Sequence, residues 1–234
     1  MTLDPELYDS LDGQVALVTG ANRGIGREIA ARLTDLGATV YAGVRSVSHD
    51  IPDDQRRVLL DVTQEGDVHE AMATIDDDEG RLDILVNNAG IIGSSESLSA
   101  SRTPELDRTL ATNLRGPMLV TKYALPALTA DPGGRVVNLS SGMGAIGEPQ
   151  SGGSAAYRIS KTGLNGLTAY LHGEYGDDGL LANSVCPGWV RTDMGGENAS
   201  RPVEKGAETP AWLCRFRPES PAGRFWRDKE VIDW

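Results

Sequence analysis

Cysteine, histidine and lysine are scarce in this chain, and each shortage removes a class of chemistry. Only two cysteines occur, Cys186 and Cys214, with no second pair to build a zinc cluster. Cys186 lies in the apolar run 182–187, which reads as a buried, inert thiol rather than a disulfide partner or a reactive group. The three histidines, His49, His69 and His172, are dispersed without metal-ligand spacing, so no metal site is expected. Long apolar runs are also missing: none approaches the ~20 residues that span a bilayer. Residues 1–12 are acidic and lack the basic-then-apolar pattern of a signal peptide, which leads to the expectation of a cytoplasmic protein.

Lys122, Lys161, Lys205 and Lys229 are all the lysines present, whereas aspartate and arginine are plentiful and the formal net charge is −12. DNA and anionic membranes demand basic surfaces, so neither nucleic acid nor membrane is an expected partner. Clusters such as Asp53-Asp54, Asp76-Asp77-Asp78 and Asp177-Asp178 read as the hydrated acidic shell of a salt-adapted, halophilic protein. They read also as ordinary acidity from a GC-rich genome in which arginine replaces lysine.

What is abundant is glycine, 28 of 234 residues, and an alternation of apolar β-branched runs with helical stretches. Strands are expected at 15–19, 39–44, 57–60, 82–87, 135–140 and 181–186, with a last one near 230–232. Helices are expected at 24–36, 65–78, 104–129, 155–175 and 202–214. The strands are mostly apolar throughout instead of alternating, as when helices cover both faces of a parallel sheet. Right-handed crossovers wind such elements into a doubly wound Rossmann-type α/β fold. No linker or repeat divides the chain, so residues 1–234 are expected to form one catalytic domain with an N-terminal extension at 1–13.

The first strand runs into Thr19-Gly20-Ala21-Asn22-Arg23-Gly24-Ile25-Gly26 and then a helix. A pyrophosphate can sit over a helix N-terminus only where no side chain obstructs the backbone and the turn aims its N–H groups at the anion. Gly20 and Gly24 supply the turn and the approach, and Gly26 lets helix and strand pack closely. The second strand ends at Val44-Arg45, where an NAD enzyme normally carries an acidic residue for the ribose 2′-hydroxyl. Valine cannot accept that bond. Arg45 and Arg23 are instead expected to converge on a 2′-phosphate, which favours NADP(H).

Tyr157-Arg158-Ile159-Ser160-Lys161 puts a phenol and an ammonium four residues apart on one helical face. A nearby cation favours the phenolate, so Lys161 is expected to lower the tyrosine pKa and make Tyr157 a proton donor to a carbonyl oxygen, or acceptor from an alcohol. Read in order, TGANRGIG at 19–26, LDVT at 60–63, NNAG at 87–90, NLRG at 113–116, NLSSG at 138–142, YRISK at 157–161 and PGWVRTDM at 187–194 resemble the short-chain dehydrogenase/reductase family over residues 14–234. The segment PGWVRTDMGG, with EKGAETP and a GRFW…W ending, looks most like its carbonyl reductase branch.

The resemblance implies roles position by position. Ser141 holds the substrate carbonyl and stabilises its developing charge; it is preferred to Ser140 because the family's serine directly precedes the loop that begins Gly142-Met143-Gly144. Asn113 holds a water that links Lys161 to solvent, and Lys161 also bonds the nicotinamide ribose. Asp61 and Val62 flank the adenine, and Asn88, Ala89 and Gly90 line the cofactor cleft. Val190, through its backbone, and Thr192 orient the carboxamide. Ile91, Ile92, Met143, Ile146, Trp189 and Met194 either form an apolar substrate wall or pack beneath a loop; a wall suits a hydrophobic ketone, aldehyde or quinone. The stretch between Ser141 and Tyr157 lacks the large helical insertion linked with monomeric animal carbonyl reductases, which leaves a homodimer or homotetramer open. Two other readings remain: a 3-oxoacyl-thioester reductase, whose acidic carrier protein would want a basic rim, and a non-catalytic NADP(H)-sensing protein.

Overall fold

The computed structural model describes residues 5–234; residues 1–4 of the expected N-terminal extension lie outside the described part. Strand β1 (Val15–Thr19) is buried at every position, as are β4 (Ile84–Asn87), β5 (Arg135–Leu139) and β6 (Leu181–Val185). Strands buried on both faces are those of a sheet with helices above and below it. The flanking strands are β2 (Thr39–Val44), β3 (Arg56–Leu59), β7 (Arg224–Arg227) and β8 (Glu230–Ile232). Together they make one eight-stranded sheet in the order β3-β2-β1-β4-β5-β6-β7-β8. All neighbouring pairs are parallel except β7 and β8, which form an antiparallel hairpin at the edge.

Helices α1 (Gly24–Asp35) and α6 (Val203–Leu213) cover one face, burying Ile29, Leu33, Ala207 and Leu213. Helices α2 (Glu65–Glu79), α4 (Gly116–Leu128) and α5 (Ala155–Tyr175) cover the other with Val68, Ile75, Val120, Leu128 and Leu171. The fold is therefore a single, mostly parallel Rossmann-type sheet with helices on both sides. Strand order reverses between β1 and β4, which opens a crevice above their C-terminal ends, the usual ligand position in such sheets. Among the described residues no helix is long and apolar enough to cross a membrane.

Three departures from the expected elements have physical causes. The long helix expected at 104–129 is α3 (Thr103–Leu110) and α4 joined by a π-helical turn, Ala111–Arg115. The widened turn is only five residues long, too short to leave a pattern of its own in the sequence. Strand β7 was not anticipated because four residues are too few to show a period, and its hairpin lacks the usual Asn-Gly signal. Asp228 and Lys229 instead take positive φ values of 53° and 64°. Lastly, the described part of the extension is tied to the C-terminal region. Tyr8 N–H donates to Arg215 O at 2.8 Å, Leu7 bridges to Phe216, and Leu11 is fully buried.

A left-handed conformation costs a side-chain-bearing residue roughly 1–2 kcal/mol, partly offset by glycine's greater unfolded entropy. Lys229→Gly is accordingly expected to stabilise the protein by about 0.5–1 kcal/mol, measured by denaturant unfolding at constant m.

Candidate active site

The glycine turn after β1 and the turn after β4 are stitched into one body. Thr19 Oγ1 donates to Val86 O at 3.3 Å and accepts Asn88 N–H and Ala89 N–H, each at 3.0 Å. Asn88 Nδ2 returns bonds to Thr19 O at 2.8 Å and Gly20 O at 3.2 Å. Gly20 and Gly24 have φ values of 68° and 54°, which bend the chain from strand into helix without a Cβ clash. A Cβ on Gly26 would overlap Asn88 Nδ2 and the Gly20 carbonyl, so this glycine serves the stitching as well as the helix–strand approach. Asn22 and Ile25 are half-buried in the same turn.

The N-terminus of α1 suits an anion. Arg23 at its start makes no side-chain cap, and the first turn holds no acidic residue. Its N–H groups and the positive end of the helix dipole are thus left for a pyrophosphate. The residues present fit a dinucleotide.

The two arginines expected to converge there have different surroundings. Arg23 forms an ion pair with Asp193 in the loop after β6, whereas Arg45 at the end of β2 is exposed and in no ion pair among the described residues. Asp193 went unnoticed in sequence because only folding brings that loop over the glycine turn. Thr192 reaches the same place: its Cγ2 would lie 3.1 Å from a Cβ on Gly24. Val190 is buried and bridges to Arg201 at the base of the loop. Asp61 spends its carboxylate on Thr63, accepting its N–H at 2.9 Å and its hydroxyl at 2.7 Å. Val62 is buried against Gly116, so only its backbone is offered to the cleft.

Tyr157 and Lys161 lie on α5 and both are buried, at 8 % and 5 % exposure. Lys161 Nζ lies 5.7 Å from the Tyr157 ring centre and donates to Leu139 O at 2.6 Å. Ser141 ends the extended run of β5, and its hydroxyl oxygen accepts Met143 N–H at 3.1 Å. That bond leaves the hydroxyl hydrogen available beside Tyr157. Ser140 is buried and donates to Lys161 O at 3.3 Å, so its hydrogen is already committed.

Asn113 sits in the π-helical turn and is fully buried. Its Oδ1 accepts Ile91 N–H at 2.8 Å, while Nδ2 donates to Ile91 O at 2.7 Å and Ser160 Oγ at 3.1 Å. The carboxamide has no donor left for a water, so the expected water relay cannot rest on those N–H groups. Gly90 borders both groups: a Cβ there would lie 3.6 Å from Lys161 Nζ and 3.4 Å from Asn113 Oδ1.

The electrostatics correct one expectation. Burial pushes the Tyr157 phenol up, with neighbouring Ser141 pulling it down and Cys186 adding to the rise. Lys161 does not lower it as the i, i+4 spacing suggested. Burial drives Lys161 itself down, to about 8. Loss of water disfavours the charged form of each and is the largest cause of both shifts.

On the loops that follow β4, β5 and β6, Ile92, Ile146, Trp189 and Met194 are all at least 40 % exposed, so they do not pack beneath a loop. Ile91 and Met143 are half-buried. Trp189 is fixed by its indole N–H, which donates to Gly195 O at 2.8 Å.

The fold and cleft define a dinucleotide-binding oxidoreductase. A family model for short chain dehydrogenases matches residues 14–202. The chain is 35 % identical over 191 residues to a 3-oxoacyl-acyl-carrier-protein reductase of Vibrio harveyi, covering 79 % of this chain and 77 % of that one. It is 34 % identical over 233 residues to an uncharacterized oxidoreductase of Thermotoga maritima, covering 95 % and 88 %. Among solved structures it resembles an NADPH-bound carbonyl reductase from chicken fatty liver, with a TM-score of 0.86, 26 % identity, and coverage of 96 % of this chain and 100 % of that one. The chain belongs to the short-chain dehydrogenase/reductase family.

The Lys161 shift has a consequence for stability. Below pH 8 the lysine is charged in both folded and unfolded chains, and the full cost of burying it is present. Between about 8 and 10.5 the unfolded chain keeps a proton that the folded one has lost, so stability from this group rises with pH. Lys161→Met is expected to be more stable than the parent by about 1–3 kcal/mol at neutral pH, after allowing for the orphaned Leu139 carbonyl. Denaturation across a pH series should show that advantage shrinking through the same window.

Proposed function

We propose that the protein reduces ketones or aldehydes to alcohols with NADPH, in the manner of a carbonyl reductase. The observation that carries this reading is the buried Tyr157–Lys161 pair with Ser141 beside it, together with exposed apolar side chains on the loops that follow β4, β5 and β6. A nicotinamide dinucleotide, when bound, would supply the hydride for the carbonyl carbon. Tyr157, kept neutral by burial, gives its proton to the carbonyl oxygen, and Ser141 donates a hydrogen bond to that oxygen as charge develops. Lys161 would hold the nicotinamide ribose and return a proton to Tyr157, itself resupplied from solvent through water at the Asn113 turn.

The cofactor would lie along Gly20, Asn22, Arg23, Gly24, Ile25 and Gly26, with Asp61 and Val62 at the adenine. Asn88, Ala89 and Gly90 would line its middle, and Val190 and Thr192 its carboxamide. NADPH is favoured over NADH because the end of β2 offers exposed Arg45 and no carboxylate; that the similar avian structure holds NADPH lends support. Met143, Ile146, Trp189 and Met194 would receive the apolar part of the substrate. Exposed Met118, Ile159 and Tyr170 on α4 and α5 support self-association as a dimer or tetramer.

The Vibrio relative favours a second reading, reduction of a 3-oxoacyl thioester by the same chemistry. Turnover of aromatic ketones and aldehydes against a 3-oxoacyl thioester separates the two: faster thioester reduction would reject the carbonyl reductase assignment.

Tyr157→Phe is expected to lower reduction by about three orders of magnitude while leaving NADPH affinity within twofold, read from NADPH absorbance and fluorescence titration. Full activity in that variant refutes the proton-donor role. Arg45→Asp is expected to shift the ratio of kcat/KM values toward NADH by about tenfold or more. An unchanged ratio would mean that Arg45 does not read the phosphate.

A further inference from the structure

Directly behind Ser141 lies a guanidinium that the reaction above does not employ. Arg227 ends β7, and its Nη2 donates to Cys186 Sγ at 3.4 Å. Gly142 N–H donates to the same sulfur at 3.2 Å. A Cβ on residue 142 would overlap Nη2 of Arg227, so the guanidinium rests against the face of the residue that follows Ser141. Among the described residues no carboxylate forms an ion pair with it. The adjacent Asp228 is held in a fork by Arg201, at 2.7 and 2.8 Å, and the buried Nε of Arg227 finds no acceptor. An arginine held this way, without its usual bidentate partner, forfeits the interaction that would ordinarily explain it.

The support behind this arginine is rigid. Trp226 donates its indole N–H to Asn183 Oδ1 at 2.9 Å, and Cys186 N–H donates to Trp226 O at 2.8 Å. Phe225 stacks on Trp234, whose carbonyl accepts Gly147 N–H at 2.8 Å. The edge hairpin thus braces the loop after β5 at two points, through Arg227 at Gly142 and through Trp234 at Gly147. Within that loop, Gly144 N–H donates to Ser141 O at 2.9 Å and Met143 N–H to Ser141 Oγ. The direction of the Ser141 hydroxyl therefore follows the placement of the turn.

We propose that Arg227 is a positioning residue: through the Cys186 sulfur and the face of Gly142 it fixes the turn that aims the Ser141 hydroxyl at the substrate carbonyl. This rests on the role given to Ser141 above. A donor displaced by a fraction of an ångström loses most of its value in the transition state while scarcely affecting ground-state binding.

The test uses the full chain with NADPH and 4-nitrobenzaldehyde. Arg227→Met is expected to lower kcat about tenfold or more, with KM and the NADPH Kd from fluorescence titration within twofold of the parent. Arg227→Lys should recover most of the loss by returning a charged donor. In a Ser141→Ala background, Arg227→Met should cost nothing further, because its effect passes through the missing hydroxyl. Parental kcat in Arg227→Met, a parallel loss of NADPH affinity, no recovery with lysine, or full additivity with Ser141→Ala each overturns the proposal. Undiminished activity of Ser141→Ala would instead refute the reading of Ser141, and the proposal with it. Should Arg227→Met fail to fold, Cys186→Ala removes the shared acceptor. A fall in kcat at unchanged Kd then supports the role, and parental kcat overturns it.

Discussion

The exclusion of water from one turn of α5 governs this structure. Tyr157 and Lys161 are almost fully covered, and the same desolvation that raises the phenol brings the amine down to about 8. Burying an ammionium-bearing side chain without a carboxylate is unfavourable, and the fold compensates with oriented backbone: Leu139 O receives the Nζ bond. The surroundings follow from the need to keep that place both dry and open to a ligand. Glycine stands at position 90, Asn113 is locked inward by Ile91, and Ser160 closes the gap between α5 and the π-helical turn.

The two ends of the sheet use buried polarity differently. At the C-terminal end it is held ready for a ligand. At the N-terminal end Arg135 is equally buried, and its donors go to Gln14 Oε1 at 2.7 Å and to the carbonyls of Cys214, Phe216 and Asp83 at 3.4 Å. Its guanidinium also lies 5.4 Å from the centre of the Tyr8 ring. This second cluster fastens the described N-terminal segment and the stretch after α6 beneath the sheet, away from the cleft. Burial pushes the Cys214 thiol beside it up to about 12, which suits a packing role.

Much of the fold was legible because its signals are local. Strands such as 15–19 and 39–44 occur where runs rich in β-branched and apolar residues predict them, and the glycine turn sits between a strand and a helix as its spacing requires. Tyr157 and Lys161 share a face because four residues make about one turn. What stayed hidden depends on contacts between distant segments. Asp193 meets Arg23 across 170 positions, and Arg227 reaches Cys186 across 41. Neither motif nor periodicity encodes such meetings. The shift of the Tyr157–Lys161 pair was hidden for a related reason: spacing reports proximity of charge but not the loss of solvent, which proved the larger effect.

Thr19 and Asn88 tie the glycine turn to the neighbouring strand with four bonds of 2.8–3.2 Å. The cradle is consequently built before any guest arrives. Binding then forfeits little to the freezing of loose backbone, and more of the contact energy survives as affinity. The corresponding penalty is rigidity of taste: a pocket so firmly assembled cannot reshape itself for a bulkier phosphate carrier, and novelty in this scaffold has to come from the rim.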